Sequence, residues 1–287
     1  MQGCYLLISD IHADIAALEA ILRLSNDEAF AERYGRVERI FNLGDVVERG
    51  YNPCEVIDRM RGMPNLTSIV GNHDEAFAWS VTVSGSDDRS VTAHEYCRRR
   101  GGWQGFFQGM PAFHIDREQR LYAVHGGPLN PAPLCAGLLD RTSIWLNSQT
   151  WQRISRAERS YFDMSGYHYT PGQAFDAIRK VLGQGFAIVC GHEHAEAAFA
   201  EKDGKIEDIL YGLEKVTFTA GGRRVEEKKI ALQDDANYLI RLGIAGPAGY
   251  YERHGWDRCY FGVYYRENGQ RCISMLSFPL GRAAIPP

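Results

Sequence analysis

Five short polar motifs, each directly after an apolar run, carry the side chains of this sequence that are best suited to chemistry. They are Asp10-Ile11-His12, Gly44-Asp45, Gly71-Asn72-His73-Asp74, His125-Gly126-Gly127 and Gly191-His192-Glu193-His194. Short apolar runs that end in glycine and polar residues are typical of buried parallel strands, and ligands bind at the carboxyl ends of such strands. We therefore expect the motifs to converge, where their Asp, Asn and His side chains would form a metal site with nitrogen and oxygen ligands.

The number of candidate ligands favours two metal ions over one. Asp10 and His12 are two residues apart and can hold one cation together, while the two oxygens of Asp45 can bridge two cations. The remaining candidate ligands are Asn72, His125, His192 and His194. This total exceeds what one tetrahedral metal needs, and two metals that share a carboxylate fit it better. Such pairs lie ~3.5–4 Å apart and clamp an in-line displacement at phosphorus or carbon.

A general acid is predicted beside these ligands. His73 follows Asn72 and precedes Asp74, and a histidine positioned by a carboxylate is suited to protonating a leaving oxygen. The nucleophile would be a hydroxide held between the two metals, because metal binding lowers the pKa of water to around 7 in favourable cases. Removing Asp74 is expected to disturb the orientation of His73 more than the metal content.

Composition and charge limit the classes of function. The chain has 287 residues, 45% hydrophobic and 24% charged, which is typical of globular proteins. Its net charge of -4 makes duplex nucleic acid an unfavourable partner, whereas bound metals would still attract a small phosphorylated substrate. The seven cysteines include no Cys-x-x-Cys pair and predict reduced thiols. With no visible signal peptide or apolar run long enough for a bilayer, we expect a cytoplasmic protein without membrane contact.

Hydrophobic periodicity predicts the elements that position the motifs. Strands are expected over residues 4–8, 40–43, 66–70, 121–124 and 186–190, and helices over 15–24 and 53–63. This β-α-β-α-β order indicates a parallel sheet. A single domain over residues 1–287 is predicted, with helical insertions at about 80–110 and 138–182 and a β-rich C-terminal part at about 199–280.

Four aromatic residues lie in or near the first insertion: Trp79, Trp103, Phe106 and Phe107. They could stack a nucleobase, but we expect them to form a small core of the insertion itself.

The five motifs, in this order, resemble those of the calcineurin-like metallophosphoesterases, in particular a bacterial and archaeal branch, over nearly the whole chain. The resemblance implies an α/β fold, a four-layer α/β/β/α sandwich of two mixed β-sheets flanked by helices. It also implies that a first metal is held by Asp10, His12, Asp45 and His194 and a second by Asp45, Asn72, His125 and His192. His73 would be the general acid. Mn, Fe and Zn all accept such ligands.

The segment from Gly44 to Gly50 resembles the motif of phosphoprotein phosphatases and symmetric dinucleoside tetraphosphatases, in which the arginine grips phosphate. Arg49 is therefore the first candidate for substrate binding, since a guanidinium fork matches phosphate oxygens. The alternative is a surface arginine that pairs with Glu48 or Glu55.

The chain departs from the family pattern at two places. Asp14 stands where the family usually has Asn, and we expect it to cap the following helix rather than to alter substrate choice. Residues 241–246 read Arg-Leu-Gly-Ile-Ala-Gly, where the branch often has Asn-Pro-Gly-Ser-Val-Gly. The loop at 247–258, which includes His254, could close over a substrate, and a surface connection is the alternative.

The resemblance and the residues together predict a dinuclear metal-dependent phosphoesterase acting on phosphate mono- or diesters, with dinucleoside polyphosphates among the candidate substrates. A serine/threonine phosphoprotein phosphatase is the alternative that Glu48-Arg49-Gly50 suggests. An inactive scaffold of the same fold is a third possibility, which His73 and the complete set of ligands argue against.

Overall fold

Short strands and helices alternate along the chain in this computed structural model, which describes residues 3–82 and 85–281. The strands are β1 (Cys4–Ile8), β2 (Val37–Asn42), β3 (Leu66–Ser68), β4 (Phe113–Asp116), β5 (Leu121–Val124), β6 (Arg153–Ile154), β7 (Tyr161–Asp163), β8 (Gly166–Tyr169), β9 (Ala187–Cys190), β10 (Ala197–Lys202), β11 (Lys205–Asp208), β12 (Lys215–Ala220), β13 (Arg223–Leu232), β14 (Ala236–Arg241), β15 (Arg258–Glu267) and β16 (Gln270–Pro279). The helices are α1 (Ile15–Ser25), α2 (Glu28–Tyr34), α3 (Pro53–Arg61), α4 (Asn72–Trp79), α5 (Asp88–Arg100), α6 (Gln104–Phe107), α7 (Pro131–Leu134), α8 (Arg141–Leu146), α9 (Pro171–Leu182) and α10 (Ala248–His254).

Two large mixed sheets organise the described residues. One has the strand order β12-β13-β16-β15-β1-β2-β3, and the other has the order β11-β10-β14-β9-β5-β4. The predicted parallel pairing of β1, β2 and β3 is present, and β9 is parallel to both β5 and β14. The five motif-bearing strands are thus divided between two sheets.

Alternation along β1 explains the layering. Leu6 and Ile8 pack with α1, α2 and α3 on one side of the first sheet, whereas Leu7 faces the interior between the sheets, which it shares with residues such as Phe41 and Ile240. Strand residues two apart point to the same face. On the outer side of the second sheet, Phe175 of α9 packs in a separate apolar cluster. The four-layer α/β/β/α sandwich is therefore confirmed.

Helix α1 begins and ends close to the predicted positions, and Asp14 is its N-cap, as expected. One oxygen of the Asp14 carboxylate accepts a hydrogen bond from the Ala17 N–H at 3.1 Å, and the other accepts from the Ala248 N–H at 2.9 Å. The cap therefore also ties α1 to the start of α10.

The two insertions differ in how well the sequence predicted them. The first is helical, as predicted, because it contains α5 and α6, and residues 83–84 lie outside the described part. The second was predicted to be mostly helical, which is wrong for its middle: β6, β8 and β7 form a small sheet. Aromatic residues of β7 and β8 favour strands, and the turn between them uses Gly166 at φ +120°.

The four aromatic residues near the first insertion separate into two environments. Trp103, Phe106 and Phe107 pack into or against the main core, so the prediction that they form a separate small core of the insertion is wrong. Trp79 is 58% exposed, and its ring centroid lies 5.5 Å from that of Trp145 in the second insertion.

The cysteines are all free thiols in the structure. Within the described ranges, no helix has the combination of length and apolar character that a bilayer crossing requires.

The packing between the sheets predicts a sharp difference between two leucines. Leu7→Ala should lower the free energy of unfolding by about 2–5 kcal/mol, because the side chain is fully buried and its removal leaves a cavity. Leu139→Ala is the matched control and should change it by less than about 0.5 kcal/mol, since Leu139 is 96% exposed. Urea unfolding of both variants measures the difference, and equal losses would contradict this assignment of the core.

Candidate metal and phosphate site

The ends of strands from both sheets build one cluster of polar side chains. β1 leads to Asp10 and His12, β2 to Asp45, and β5 and β9 of the second sheet lead to His125 and to the His192–His194 loop. The first two loops are joined by backbone hydrogen bonds from Asp10 N to Gly44 O (3.0 Å) and from His12 N to Asp45 O (2.9 Å). The convergence expected from the sequence is therefore present.

The cluster consists of two groups that share Asp45. Ligand atoms of Asp10, His12, Asp45 and His194 lie within 4.8 Å of one another, as do those of Asp45, His125 and His192. Asn72 belongs with the second group, because its Oδ1 lies 3.1 Å from Nε2 of His125. All seven predicted ligands are brought together in the two sets that the family resemblance implies, and their binding of metal stays a prediction.

Buried polar atoms without partners show that these residues fit metal ions. Among the described residues, Asp10 Oδ1, Asp45 Oδ2 and both ring nitrogens of His192 are buried and have no hydrogen-bond partner. Nε2 of His12 and Nε2 of His194 face each other at 2.9 Å. Unpaired buried carboxylates and convergent imidazole nitrogens are costly unless a cation lies between them, and this mixed set of oxygen and nitrogen donors suits a divalent metal.

Two of the imidazole rings are oriented by main-chain carbonyls. His12 donates from Nδ1 to Val47 O at 3.2 Å, and His125 donates from Nδ1 to Leu43 O at 2.8 Å. Each bond fixes the ring so that Nε2 points into the cluster, as is usual for metal-binding histidines.

Charge within the cluster also bears on metal binding. Burial, with a contribution from Arg153, lowers the pKa of His192 well below its usual value, so the ring is neutral, as a metal ligand must be. Burial lowers the pKa of His125, but the charge and hydrogen bond of Asp45, together with Asp10 and the Leu43 carbonyl, outweigh burial and raise this pKa to about 9. A metal that binds His125 therefore has to displace a proton.

The backbone at the cluster is strained. Asp10, His12, Asp45, His192 and His194 all have φ values between 45° and 72°. Non-glycine residues rarely adopt this left-handed region, and clusters of such residues are typical of functional sites. Gly71 also lies very close to the loop that carries Asp45, since a Cβ atom at position 71 would collide with the backbone and carboxylate of Asp45.

His73 lies beside the metal-ligand cluster at the start of α4. Its N–H donates to Asp45 Oδ1 at 2.9 Å, and its ring Nε2 accepts from Arg49 at 3.2 Å. Nδ1 has no partner in the described part of the chain. Burial, and to a lesser degree Arg49, lowers the pKa of His73 to about 3, so the ring is neutral in this arrangement.

The expected contact between Asp74 and the His73 ring is not what the structure contains. One oxygen of Asp74 accepts from the N–H groups of Asp45 (2.9 Å) and Gly71 (3.0 Å), and the other from those of Val46 (2.8 Å) and Val47 (3.3 Å). The carboxylate thus closes the N-terminus of α4 and holds the loop that carries Asp45. The sequence suggested a contact with the His73 ring because Asp74 is adjacent to His73. In the structure the Asp74 carboxylate instead accepts hydrogen bonds from unsatisfied backbone N–H groups, and such charge-assisted bonds are strong.

A cavity of about 520 Å³ opens beside the cluster. Arg49 lines it together with Asn72, His73 and His192. The Arg49 guanidinium also lies 5.2 Å from the ring of Tyr250, and its buried Nε has no acceptor among the described residues. The Arg49 guanidinium is therefore held beside the metal-ligand cluster, and its Nε–H group is still available to bind a phosphate oxygen.

Three further residues that line the cavity were not predicted from the sequence: Trp145, Trp151 and Arg153. Arg153 makes one side-chain hydrogen bond in the described structure, from Nε to Ser165 O at 2.7 Å, and burial lowers its pKa. All three lie in the second insertion, where no motif marks them. Tyr250 lies in the 247–258 loop, and its buried hydroxyl has no described partner.

His254 was predicted to contact substrate, and the structure does not bring it to the cavity. Its exposed ring lies 6.3 Å from that of Tyr250 and 5.7 Å from that of Trp256. Within the same loop, Tyr250 is the residue that reaches the cluster, since its ring lies 5.1 Å from that of His194.

The departure at residues 241–246 has a structural explanation. Arg241 pairs with Glu193 of the Gly-His-Glu-His motif and donates to Ala195 O at 2.6 Å. Further along, Ala245 N donates to Ser9 O at 3.1 Å and Gly246 N to Asp10 O at 3.0 Å. The segment thus braces the loops after β9 and β1.

The bonds of Asp74 predict an effect on metal binding. Asp74→Asn should weaken metal affinity by about 10–100-fold, because the amide NH2 would face backbone donors and the Asp45 loop would lose its brace. The exposed Asp176→Asn is the matched control and should bind metal normally. Calorimetric metal titration measures both. Unchanged metal affinity with altered catalysis would instead restore a role in orienting His73.

Comparison with known proteins agrees with this geometry. The uncharacterized protein MJ0912 of Methanocaldococcus jannaschii is 40% identical over 68 residues, which are 24% of this chain and 25% of that protein. The class 3 fructose-1,6-bisphosphatase of Lactococcus lactis subsp. cremoris is 34% identical over 65 residues, which are 23% of this chain and 10% of that enzyme. The chain thus spans a quarter or less of the length of these curated relatives.

A structural relative and a family model extend over more of the chain. The crystal structure of a metallophosphoesterase from Sphaerobacter thermophilus superposes with a TM-score of 0.56 at 19% identity, covering 95% of this chain and 86% of that one, and shows the shared fold. The model of the calcineurin-like phosphoesterase family matches residues 5–196, well over half of the sequence. The chain therefore belongs to the calcineurin-like phosphoesterase family.

Proposed function

We propose that this protein is a metal-dependent phosphoesterase that hydrolyses phosphate mono- or diesters of small molecules. The observation that carries the proposal is the pair of Asp and His groups that share Asp45, at the edge of a cavity that holds Arg49 and His73. Metal ligands, a phosphate-binding cation and a candidate general acid thus meet in one place.

The two groups would hold one divalent metal each. Asp10, His12, Asp45 and His194 form the first group, and Asp45, Asn72, His125 and His192 form the second. When bound, the metals would supply Lewis acidity toward phosphoryl oxygens and a nucleophile at neutral pH. Mn, Fe and Zn are the proposed metals, because all three accept this combination of oxygen and nitrogen ligands.

Arg49 and His73 would act as a linked pair. In the structure the Arg49 guanidinium donates a hydrogen bond to Nε2 of His73 at 3.2 Å. Nε2 of the neutral ring therefore carries no proton and cannot act as an acid. A substrate phosphate would draw the guanidinium into charge-assisted bonds and free Nε2. The dianion would also favour the protonated ring, which could then protonate the leaving oxygen.

Dinucleoside polyphosphates remain the proposed natural substrate class, and the surroundings of His194 support this. His194 lines the 520 Å³ cavity and also a second cavity of about 430 Å³, where Trp256 and Tyr260 lie. A substrate that extends in two directions from its reacting phosphate could use both. A serine/threonine phosphoprotein phosphatase stays the alternative, because Arg49 of the motif that suggests it lines the cavity beside the metal-ligand cluster.

We also propose a cytoplasmic location, for which the seven free thiols are the support.

Hydrolysis by the purified protein, with metal analysis of the same sample, tests the proposal. The panel is an aryl phosphate monoester, an aryl phosphodiester, a diadenosine polyphosphate and a phosphopeptide, each with added Mn. We expect the protein to hydrolyse at least one of the small esters and a chelator to abolish this activity. The ester that is hydrolysed fastest would define the substrate class of the enzyme. No turnover by protein with about two bound metals would contradict the enzymatic proposal. His73→Ala serves as the control, since it should keep its metals and lose most of kcat.

Arg49→Ala should weaken inhibition by inorganic phosphate about 10–100-fold, because bonds to charged groups contribute roughly 1.5–3 kcal/mol. Its metal content should remain that of the wild type, since no predicted ligand depends on the guanidinium for position. The exposed Arg99→Ala is the matched control. Loss of metal from the Arg49 variant would mean that the residue has a structural role instead.

A further inference from the structure

We propose that Trp79, Trp145 and Trp151, named here the tryptophan wall, form a stacking subsite for the base of a nucleoside phosphate whose phosphate lies at the metal-ligand cluster. The inference rests on the proposed function and narrows its substrates to esters that carry a planar aromatic group.

The wall is a continuous series of rings that starts at the cluster. The Trp151 ring centroid lies 5.9 Å from that of His192, Trp145 follows at 5.1 Å from Trp151, and Trp79 at 5.5 Å from Trp145. Trp145 and Trp151 line the same cavity as Arg49. Aromatic surface therefore extends from a candidate metal ligand to the outside of the protein.

The central ring of the wall is held in place by the half-buried carboxylate of Glu75. Trp145 donates from Nε1 to Glu75 Oε2 at 2.6 Å, and Thr150 donates to the same oxygen at 2.9 Å. Burial raises the pKa of Glu75. This bond fixes the indole before any ligand arrives, and such a preorganised ring loses little conformational entropy when a base stacks on it.

The outer part of the wall is exposed in a way that packing does not explain. Trp79 is 58% exposed although Trp103, Phe106 and Phe107 of the same region are packed in the core. Met164, which lines the same cavity as Trp145 and Trp151, is 82% exposed. Large exposed apolar side chains that adjoin a polar cavity are typical of a binding site.

The charges in the cavity identify the occupant. Arg49 and Arg153 line the cavity. The carboxylate of Glu193 also lines it, but Glu193 is paired with Arg241, and within the described residues no ion pair is formed by Arg49 or Arg153. An occupant that satisfies these cations and the tryptophan wall is an anion joined to a flat apolar ring. The hydroxyls of Thr82 and Thr142 also line the cavity and can bond the polar edge of a base. At about 520 Å³ the space exceeds what phosphate alone needs and lies in the usual range for small-molecule sites.

The test compares adenosine 5′-monophosphate with ribose 5-phosphate in calorimetric titrations of the metal-loaded protein. The two probes share the sugar and phosphate, so the ratio of their Kd values reports the base alone. We expect adenosine 5′-monophosphate to bind wild type roughly 5- to 150-fold more tightly, as one stacked base usually does, and to quench tryptophan fluorescence.

Trp79→Ala should reduce this ratio without affecting the fold, because the side chain is largely exposed, and Trp145→Leu should reduce it further. The Kd of ribose 5-phosphate should stay constant in both. Tyr211→Ala removes a ring that is 89% exposed. It is the matched control and should keep the wild-type ratio, because Tyr211 lines a different cavity, beside Arg156 and Arg241.

Equal affinities for the two probes in wild type, or a ratio unchanged in both tryptophan variants, would overturn the stacking subsite while leaving the phosphoesterase proposal in place. Binding of neither probe, together with no hydrolysis across the ester panel, would overturn both. A phosphopeptide that binds more tightly than adenosine 5′-monophosphate and loses affinity in Trp79→Ala would overturn the nucleotide as occupant and assign the wall to an aromatic peptide side chain.

Discussion

The carboxylate of Asp45 is the group on which the geometry of the site depends. Its Oδ2 lies 3.8 Å from Nε2 of His12 and 3.3 Å from Nε2 of His125, so it faces a strand end of each sheet. Its Oδ1 accepts the N–H of His73 at the start of α4, where the helix dipole favours an anion. One carboxylate can face both sheets only if their separation is fixed, and the apolar layer around Leu7 and its neighbours fixes it. The sandwich is therefore the means by which two sets of ligands come to share an oxygen donor.

Without a bound cation, this arrangement of buried carboxylates and strained backbone lowers the stability of the folded protein. Asp10 and Asp45 are fully buried and each leaves an oxygen without a described partner, and five of the seven predicted ligands have left-handed backbone conformations. Burial and strain of this kind each oppose folding. The apolar clusters on the faces of the sheets supply the opposing free energy. A cation that binds the folded cluster would add to it by mass action, because the unfolded chain offers no comparable site.

The sequence could predict the features of the site that are set by neighbouring residues. It could not predict those that depend on contacts between distant segments of the chain. The convergence of the predicted ligands could be predicted because each follows its strand directly, and strand ends of such sheets converge. The four-layer fold followed from the family resemblance and not from periodicity, which by itself indicated a single parallel sheet. The role of Asp74 was not predictable, because its adjacency to His73 concealed four backbone donors that become neighbours only through the Asp45 loop. The Trp79–Trp145 contact joins two insertions some 66 positions apart, and no local pattern encodes such a pair.

Helix α4 carries residues of the candidate catalytic site and also a residue of the proposed stacking subsite. In eight residues it carries the predicted ligand Asn72, the candidate acid His73, the loop brace Asp74, the anchor Glu75 and the exposed Trp79. A helix is stiff over two turns, so these groups keep their mutual distances. Any displacement that moved Trp79 or the Glu75–Trp145 bond would also move His73 relative to Asp45. Trp79 of the proposed stacking subsite and the candidate acid His73 are thus carried by one rigid helix, so a leaving group seated on the tryptophan wall would be held at a fixed distance from His73.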